Sequence, residues 1–374
     1  MKLLYREACG VSRPTGPFNA GLWYDKFVDL EYEPGSAPKL EKQQWLKSIV
    51  EVAQEAWDAI ALDEAIQRQA IMAHALGGLV LRFRNASRFV TGLGRTHPVE
   101  NGFAWHHALG MPYLPGSGLK GVLRAWMRMN GGSGQQDWFG ERGRAGDIVF
   151  LDLLPVRPPV LCVEIMTPHY APYYHQNPDD PQAPGDWFLP TPIPFLAVEH
   201  SQLWQCALIP RPGAGSWDNG LRNDLRRHLA NALSWLGAGA KTAVGYGRFE
   251  FLEDATRELE AELAAARETA RRAARLAREL SRLSPLAAEF HRQRLEGAWD
   301  TDKNAFAQSA MYGDWISRLE AEPDATALEM MRELVEKHFP GLLADPDRTE
   351  GKRNKPVFKE GQREFARRFN RIAG

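Results

Sequence analysis

Residues 236 to 251 read LGAGAKTAVGYGRFEF, and what stands on either side of them decides the fold. Upstream, Leu221, Leu225, Leu229, Leu233 and Leu236 recur every three or four residues, which predicts a helix from about Asn219 to Leu236 with Gly237 as its C-cap. Downstream, Arg248, Phe249, Glu250 and Phe251 alternate polar with apolar, as a strand does. Nucleotide loops follow a strand and open a helix, whereas this loop follows a helix and opens a strand. Walker spacing also fails, because Lys241 follows Ala240 and not a glycine. The stretch does offer glycines that let a backbone come close, cations for phosphates and an aromatic ring for a base. RNA is the anion that suits such a pattern. The candidate contacts are Gly239, Lys241, Thr242, Gly245, Tyr246 and Arg248; for Tyr246 the competing reading is a ring that fills the groove between sheet and helix.

A second glycine stretch, PYLPGSGLKGVLRAW at residues 112 to 126, places Lys120 at the start of an amphipathic helix opened near Gly118. It too misses the Walker pattern, since Gly121 follows Lys120. A glycine turn at a helix start exposes backbone N–H groups and the positive end of the dipole, so Lys120 marks an anion site without naming the anion. Between Leu79 and Arg95 stand Arg82, Arg84, Arg88 and Arg95 with no acidic residue. Leu79, Leu81 and Phe83 alternate there with Val80, Arg82 and Arg84, which predicts a strand with one basic face and a turn at Asn85-Ala86-Ser87 leading back into a second strand. Arg88 and Arg95 are second-rank phosphate contacts, because a sheet edge also carries charge to block aggregation.

Composition bounds the rest. The chain has 374 residues, 44% hydrophobic and 10% aromatic, with a net charge of −1, which describes a globular protein without a uniformly basic coat. Three cysteines, Cys9, Cys162 and Cys206, lack metal or disulfide spacing and read as ordinary thiols; no metal and no cofactor is expected. No apolar run reaches the ~18 residues of a membrane span and no signal-peptide core is visible, so a cytoplasmic location with no membrane contact is expected.

Residues 1–38 read as loops around a short extended segment, AGLWYDKFVDLEY. Trp45, Ile49, Val52, Ala56 and Ile60 then step helically, and the helix continues from Leu62 to Leu76 before Gly77-Gly78. DIVFLDLLPV is a strand candidate, LCVEIMTPHYAPYYHQNPDDPQAPGDW is too proline-dense for a core element, and IPFLAVEH and LWQCALIP read as paired strands. Residues 254–283 form a long Ala/Arg/Glu helix with an alanine-heavy seam, ended by Pro285. Shorter helices follow to 340, then a basic, frayed tail.

The motif order resembles that of the RAMP proteins of CRISPR effector complexes, in particular those of type III-B. The glycine-rich loop of that family is matched by GAGAKTAVGYGRF, and its PGSSLKG motif by PGSGLKG, with Gly118 replacing the second serine. NAGLWYDK, TGLGRTHPVENGFAWHHALGMPYLPG and TPHYAPYY add to the likeness, which covers residues 19 to 251 and leaves 254–374 unassigned. The resemblance implies an α+β fold: a ferredoxin-like RAMP (RRM-like) domain over 1–253, with a helical insertion or flank at 39–76, and a helical C-terminal extension with a basic tail over 254–374. It implies a noncatalytic RNA-binding subunit at the head of a ribonucleoprotein filament, near the crRNA 3′ end. The implied partners are crRNA, target RNA and other Cmr-type subunits, both backbone and head RAMP proteins, and a β-hairpin thumb kinks the guide–target duplex in such complexes.

Two alternatives stay open. A metal-independent crRNA-processing endoribonuclease needs a histidine, and His97, His106, His107, His169 and His175 are the candidates; the adjacent His106 and His107 read more simply as polar turn residues, and TPHY, which holds His169, as a loop held against a neighbour. The acidic pair Asp179-Asp180 reads as a solvated turn. A structural adaptor would recruit a partner through the helical C-terminus, and the net charge of +1 over 254–283 favours a protein contact there over RNA.

Overall fold

The computed structural model describes residues 15–28, 41–131, 135–174, 181, 183–350 and 355–374. Cys9, His175, Asp179 and Asp180 lie outside the described residues. The chain divides into two units, Met1–Ala264 and Ala265–Gly374.

The first unit begins with α1 (Ala20–Lys26), where an extended segment was expected. Asn19 explains the difference: its side chain caps the helix by accepting from the Leu22 N–H, and Ala20, Trp23 and Tyr24, at helical spacing, are buried on one side. The expected single helical run splits into α2 (Lys42–Ala56) and α3 (Ala59–Ala75). Asp58 makes the break, its carboxylate accepting from the N–H groups of Ile60 and Ala61 at 2.9 and 3.0 Å. Ile60 therefore starts a new helix and is 75% exposed, away from the buried stripe of Trp45, Ile49, Val52 and Ala56.

The central sheet takes its strands from a chain order of β1 (Leu79–Asn85), α4 (Gly116–Met129), β2 (Ile148–Phe150), a separate two-stranded hairpin of β3 (Leu161–Met166) and β4 (Ile193–Val198), then β5 (Leu203–Pro210), α5 (Asn219–Trp235) and β6 (Phe249–Phe251). Its order is β2-β5-β1-β6 and every pairing is antiparallel. With α4 between β1 and β2 and α5 between β5 and β6, this is the βαββαβ ferredoxin-like arrangement. Leu79, Leu81 and Phe83 face one core with Leu208, Cys206 and Trp204, joined by Leu119, Leu123, Leu225, Leu229 and Leu233. Each fully buried leucine or phenylalanine there contributes about 1.5–3 kcal/mol.

Four sequence expectations about the strands change. The turn at Asn85-Ala86-Ser87 does not fold a second strand back onto β1, whose partners are β5 and β6. IPFLAVEH and LWQCALIP do both hold strands, yet β4 pairs with β3 and β5 pairs with β1. LCVEIM is that β3, so the proline-rich character starts only after Met166. DIVFLDLLPV breaks into β2 and a two-residue bridge at Leu154–Pro155. Alternation tells that a segment is a strand and which side is buried; it carries no information on the neighbour.

The supposed basic face of β1 is largely covered. Val80 is buried with Ala207 and Ile209 beneath Ala70 and Ala73 of α3 and Leu259 and Leu263 of α6 (Glu253–Leu280). β6 reaches only Phe83–Asn85, and beyond it Leu252 and the first turn of α6 take over the edge of β1: the Leu252 N–H donates to the Arg82 carbonyl at 3.0 Å and the Arg82 N–H donates to Thr256 Oγ1 at 3.0 Å. An edge that would otherwise offer free backbone groups is thus closed.

In the second unit, α7 (Pro285–Glu296), α8 (Trp315–Ala321), α9 (Ala325–His338) and α10 (Glu360–Ala373) share a core with Phe290, Trp299, Phe306, Trp315 and Phe339. The last part of the tail read as frayed is α10, anchored by buried Phe365, Ala366 and Phe369. Its apolar positions are few but recur at helical spacing, and the arginines between them disguise the stripe.

Candidate nucleic-acid interface

The loop between α5 and β6 is woven into residues 86–90. Ala240 donates to the Val90 carbonyl at 2.7 Å, Gly247 to the Arg88 carbonyl at 2.8 Å, and Ala86 to the Arg248 carbonyl at 2.8 Å. The Arg248 N–H donates to Ser87 Oγ at 3.0 Å. This close approach requires glycine: a Cβ on Gly239 would stand 2.1 Å from the Val90 oxygen, and one on Gly247 2.0 Å from the Ala238 oxygen. Gly245 differs. Its φ is +97°, yet a Cβ there meets nothing within 4 Å, because Ala243, Val244 and Gly245 form an exposed crest.

Lys241 and Tyr246 lean on the β3–β4 hairpin. Lys241 Nζ lies 5.5 Å from the Phe195 ring centre. The Tyr246 ring meets Phe195 edge-on at 6.0 Å, and its hydroxyl donates to Glu164 Oε2 at 2.6 Å. Partial burial first, then the bonded Glu164, pushes that hydroxyl up to about 12, so it stays a neutral donor. Glu164 is also ion-paired with Arg88, whose Nε donates to Glu199 Oε1 at 3.0 Å. The hydrogen bond from Arg88 holds the Glu199 carboxyl below the usual carboxylate range. Arg88 thus serves two carboxylates, while among the described residues no acidic group lies within ion-pair distance of Lys241 or Arg248. Thr242 gives its carbonyl to the Gly245 N–H at 3.2 Å, closing the turn under the crest. Arg95 is exposed three residues beyond Gly92, to which its N–H donates.

Lys120 stands apart. Its helix α4 starts against edge strand β2, whereas the loop leads into β6, the other edge. Lys120 lines an open cleft of about 540 Å³ with Arg124, Arg142, Arg144 and Arg211, and no loop residue shares it. The first N–H of α4 is already satisfied, since Gly116 donates to Asp152 Oδ1 at 2.7 Å. The structure therefore brings Gly239, Lys241, Thr242, Gly245, Tyr246, Arg248 and Arg88 together and leaves Lys120 elsewhere. Sequence reading missed Trp235, 70% exposed and next to Ser234, whose carbonyl Arg248 Nη1 approaches at 3.5 Å. Its position off the leucine stripe of α5 was the available signal.

His97, His106 and His169 have structural employment, whereas His107 is exposed and gives only its backbone carbonyl, to Asn19. His97 is buried, stacked on Tyr24 at 4.0 Å, with Nε2 3.0 Å from the Tyr24 carbonyl, and burial lowers its proton affinity. His106 Nδ1 accepts from the Leu109 N–H at 3.2 Å. His169 Nδ1 sits 3.4 Å from the Phe188 carbonyl. Burial pushes the thiols of Cys162 and Cys206 up to about 12. Among the described residues no group of His, Cys, Asp and Glu is placed to hold a metal, and no helix is long and apolar enough to cross a membrane.

Residues 82–250, from β1 to β6, match the RAMP superfamily. The fold is α+β with a helical extension, and its sheet domain is similar to the RAMP superfamily over those residues. It is similar to Cmr6, a subunit of the type III-B CRISPR Cmr system: the Pyrococcus furiosus Cmr6 is 26% identical over 272 residues, 56% of this chain and 78% of that one. The Saccharolobus solfataricus Cmr6 is 24% identical over 157 residues, 40% of this chain and 49% of that one. Among solved structures, a chain of the type III-B Cmr-beta complex bound to cognate target RNA aligns with a TM-score of 0.46 at 16% identity, over 60% of this chain and 78% of that one. The crystal structure of Cmr6 from Pyrococcus furiosus aligns with a TM-score of 0.30 at 25% identity, over 47% of this chain and 97% of that one.

Proposed function

We propose that this chain is a noncatalytic, cytoplasmic subunit of a type III-B CRISPR ribonucleoprotein, binding crRNA and capping the filament near the crRNA 3′ end beside backbone and head RAMP subunits. Residues 1–253 serve as the RNA-facing RAMP domain, and 254–374 as its extension. The observation that carries this reading is the exposed crest Ala243–Gly245 set between Lys241 and Arg248, two cations without a carboxylate partner among the described residues, at the end of the RAMP match. A crest of small residues lets a phosphodiester backbone approach, and the flanking charges release counterions when it does. Sequence is read by base pairing in such an assembly, so the protein needs shape and charge alone.

Lys241→Ala with Arg248→Ala is expected to weaken RNA binding and to lower the slope of log affinity against log salt by up to about two, one unit per phosphate contact, with no change of base preference. Titration of labelled RNA at several salt concentrations measures it. An unchanged slope would make the loop a purely structural element.

The isolated chain is expected to leave CRISPR repeat RNA intact in EDTA and in magnesium, because His97, His106 and His169 are each held by backbone groups of their own fold. Metal-independent cleavage abolished by changing one of these histidines would establish the ribonuclease reading instead.

A further inference from the structure

The net charge of +1 over residues 254–283 conceals a division along α6. From Glu253 to Ala264 the helix carries one arginine against five acidic residues, and this part is docked: Thr256 is buried, Leu259 and Leu263 pack over the sheet, and Glu260 accepts from Arg226 at 3.0 Å. From Arg267 to Leu280 it carries five arginines, no lysine and two glutamates, and a sixth arginine, Arg282, follows in the turn beyond it. No residue from Ala265 to Leu280 is buried, and every one from Ala265 to Arg275 is exposed.

Arg271, Arg275, Arg278 and Arg282 follow at steps of four, three and four. At 3.6 residues per turn Arg271, Arg275 and Arg278 fall within an arc of about 60° and span about 10 Å along the axis, and Arg282 follows in the turn after the helix, its N–H donating to the Glu279 carbonyl at 3.2 Å. Arg275 pairs within the helix with Glu279 at 2.9 Å, and Arg272, to the side of the stripe, pairs with Glu268 at 3.0 Å. Among the described residues no carboxylate lies within ion-pair distance of Arg271, Arg278 or Arg282. Intrahelical pairing therefore does not account for the stripe, and the helix does not need it to bury a core.

We infer that the arginine stripe of α6 and the turn after it, Arg271, Arg275, Arg278 and Arg282, is a second phosphate-binding face that lies along an RNA backbone. Charge complementarity selects the occupant. Four planar forks in a row suit a chain of phosphates, which each fork can grip through two N–H groups. A lipid surface would need large apolar side chains beside the cations, and none of those exposed in the protein lies between Val244 and Leu295. The inference rests on the reading of this chain as an RNA-binding subunit.

The test compares the full chain with two variants, R271Q/R275Q/R278Q/R282Q and the corresponding fourfold lysine replacement. Glutamine and lysine are both good helix formers, and circular dichroism checks that the helix is kept. The probe is a labelled CRISPR repeat-spacer RNA, titrated from low to physiological salt. The glutamine variant is expected to lose about two to three units of salt slope, at about 0.7 per phosphate on a single strand, and the lysine variant to keep most of it. A glutamine variant with the wild-type slope overturns the inference. So does a glutamine variant that keeps the slope but no longer copurifies with partner subunits, since the stripe is then a protein contact. Failure of the underlying reading shows differently: the wild-type chain itself binds no RNA.

Discussion

Gly239→Ala is expected to cost about 3–5 kcal/mol, among the largest effects of any single methyl in this protein, because two penalties coincide. The residue sits at φ +90°, where an L side chain is strained, and its Cβ would stand 2.1 Å from the Val90 oxygen and 2.8 Å from Phe89 Cε2. That oxygen is the acceptor for Ala240, so relief by movement breaks the bond that holds the loop to residues 89–91. Gly245→Ala is the control. It has an equally left-handed φ of +97° but open space around it, so only the backbone strain of about 1–2 kcal/mol applies. Guanidinium denaturation followed by tryptophan fluorescence separates the two. RNA titration then divides them the other way: on the proposed function, Gly245→Ala, whose methyl stands on the exposed crest, weakens binding in a chain that is still well folded. A Gly239→Ala midpoint equal to wild type would sink the steric account of this loop.

The difference between those glycines marks how far the sequence could be read. That the stretch is a loop between helix and strand was legible, because Leu221, Leu225, Leu229 and Leu233 and then Phe249 and Phe251 announce their periods locally. Which glycine is occluded and which is open depends on Val90, a residue about 150 positions away. The same holds for charge. Arg84 and Arg88 looked free because no acid lies near them in sequence, yet Arg84 pairs with Glu250 at 2.6 Å and Arg88 with Glu164 and Glu199. Capping residues were under-read for the opposite reason. Asn19 and Asp58 act within three residues, and their signal was present, but the aromatic density of AGLWYDK and the unbroken apolar spacing across Trp57-Asp58 outweighed it. The alanine seam of α6 was visible as a pattern; its exposure was not, since nothing in a helix's own sequence states whether a partner covers it.

Asn85→Ala is expected to cost about 3–5 kcal/mol and to damage the RNA loop from a distance. Asn85 is fully buried at the end of β1, and its side chain makes four hydrogen bonds. Nδ2 donates to the carbonyls of Ser87 and Glu199, each at 2.9 Å, while Oδ1 accepts from the Gln202 N–H at 2.8 Å and from the Trp204 Nε1–H at 3.1 Å. Truncation strands all four partners. The Trp204 indole, itself fully buried, has no water to turn to, and an unmet buried donor costs about 1–3 kcal/mol. Asn85→Asp tests the polarity of the arrangement: it keeps an acceptor for Gln202 and Trp204 but turns a carboxylate toward two carbonyl oxygens, so it rescues little. The consequence reaches the interface because Ser87 and Glu199 are the residues that Asn85 positions. Ser87 Oγ accepts from the Arg248 N–H, and Glu199 fixes Arg88, whose carbonyl accepts from Gly247. The variant is therefore expected to lose salt-dependent RNA binding together with stability, and stabilising conditions that restore the fold should restore only part of the binding. A variant with the wild-type denaturation midpoint and the wild-type salt slope would show that Asn85 neither supports the sheet edge nor orients the loop.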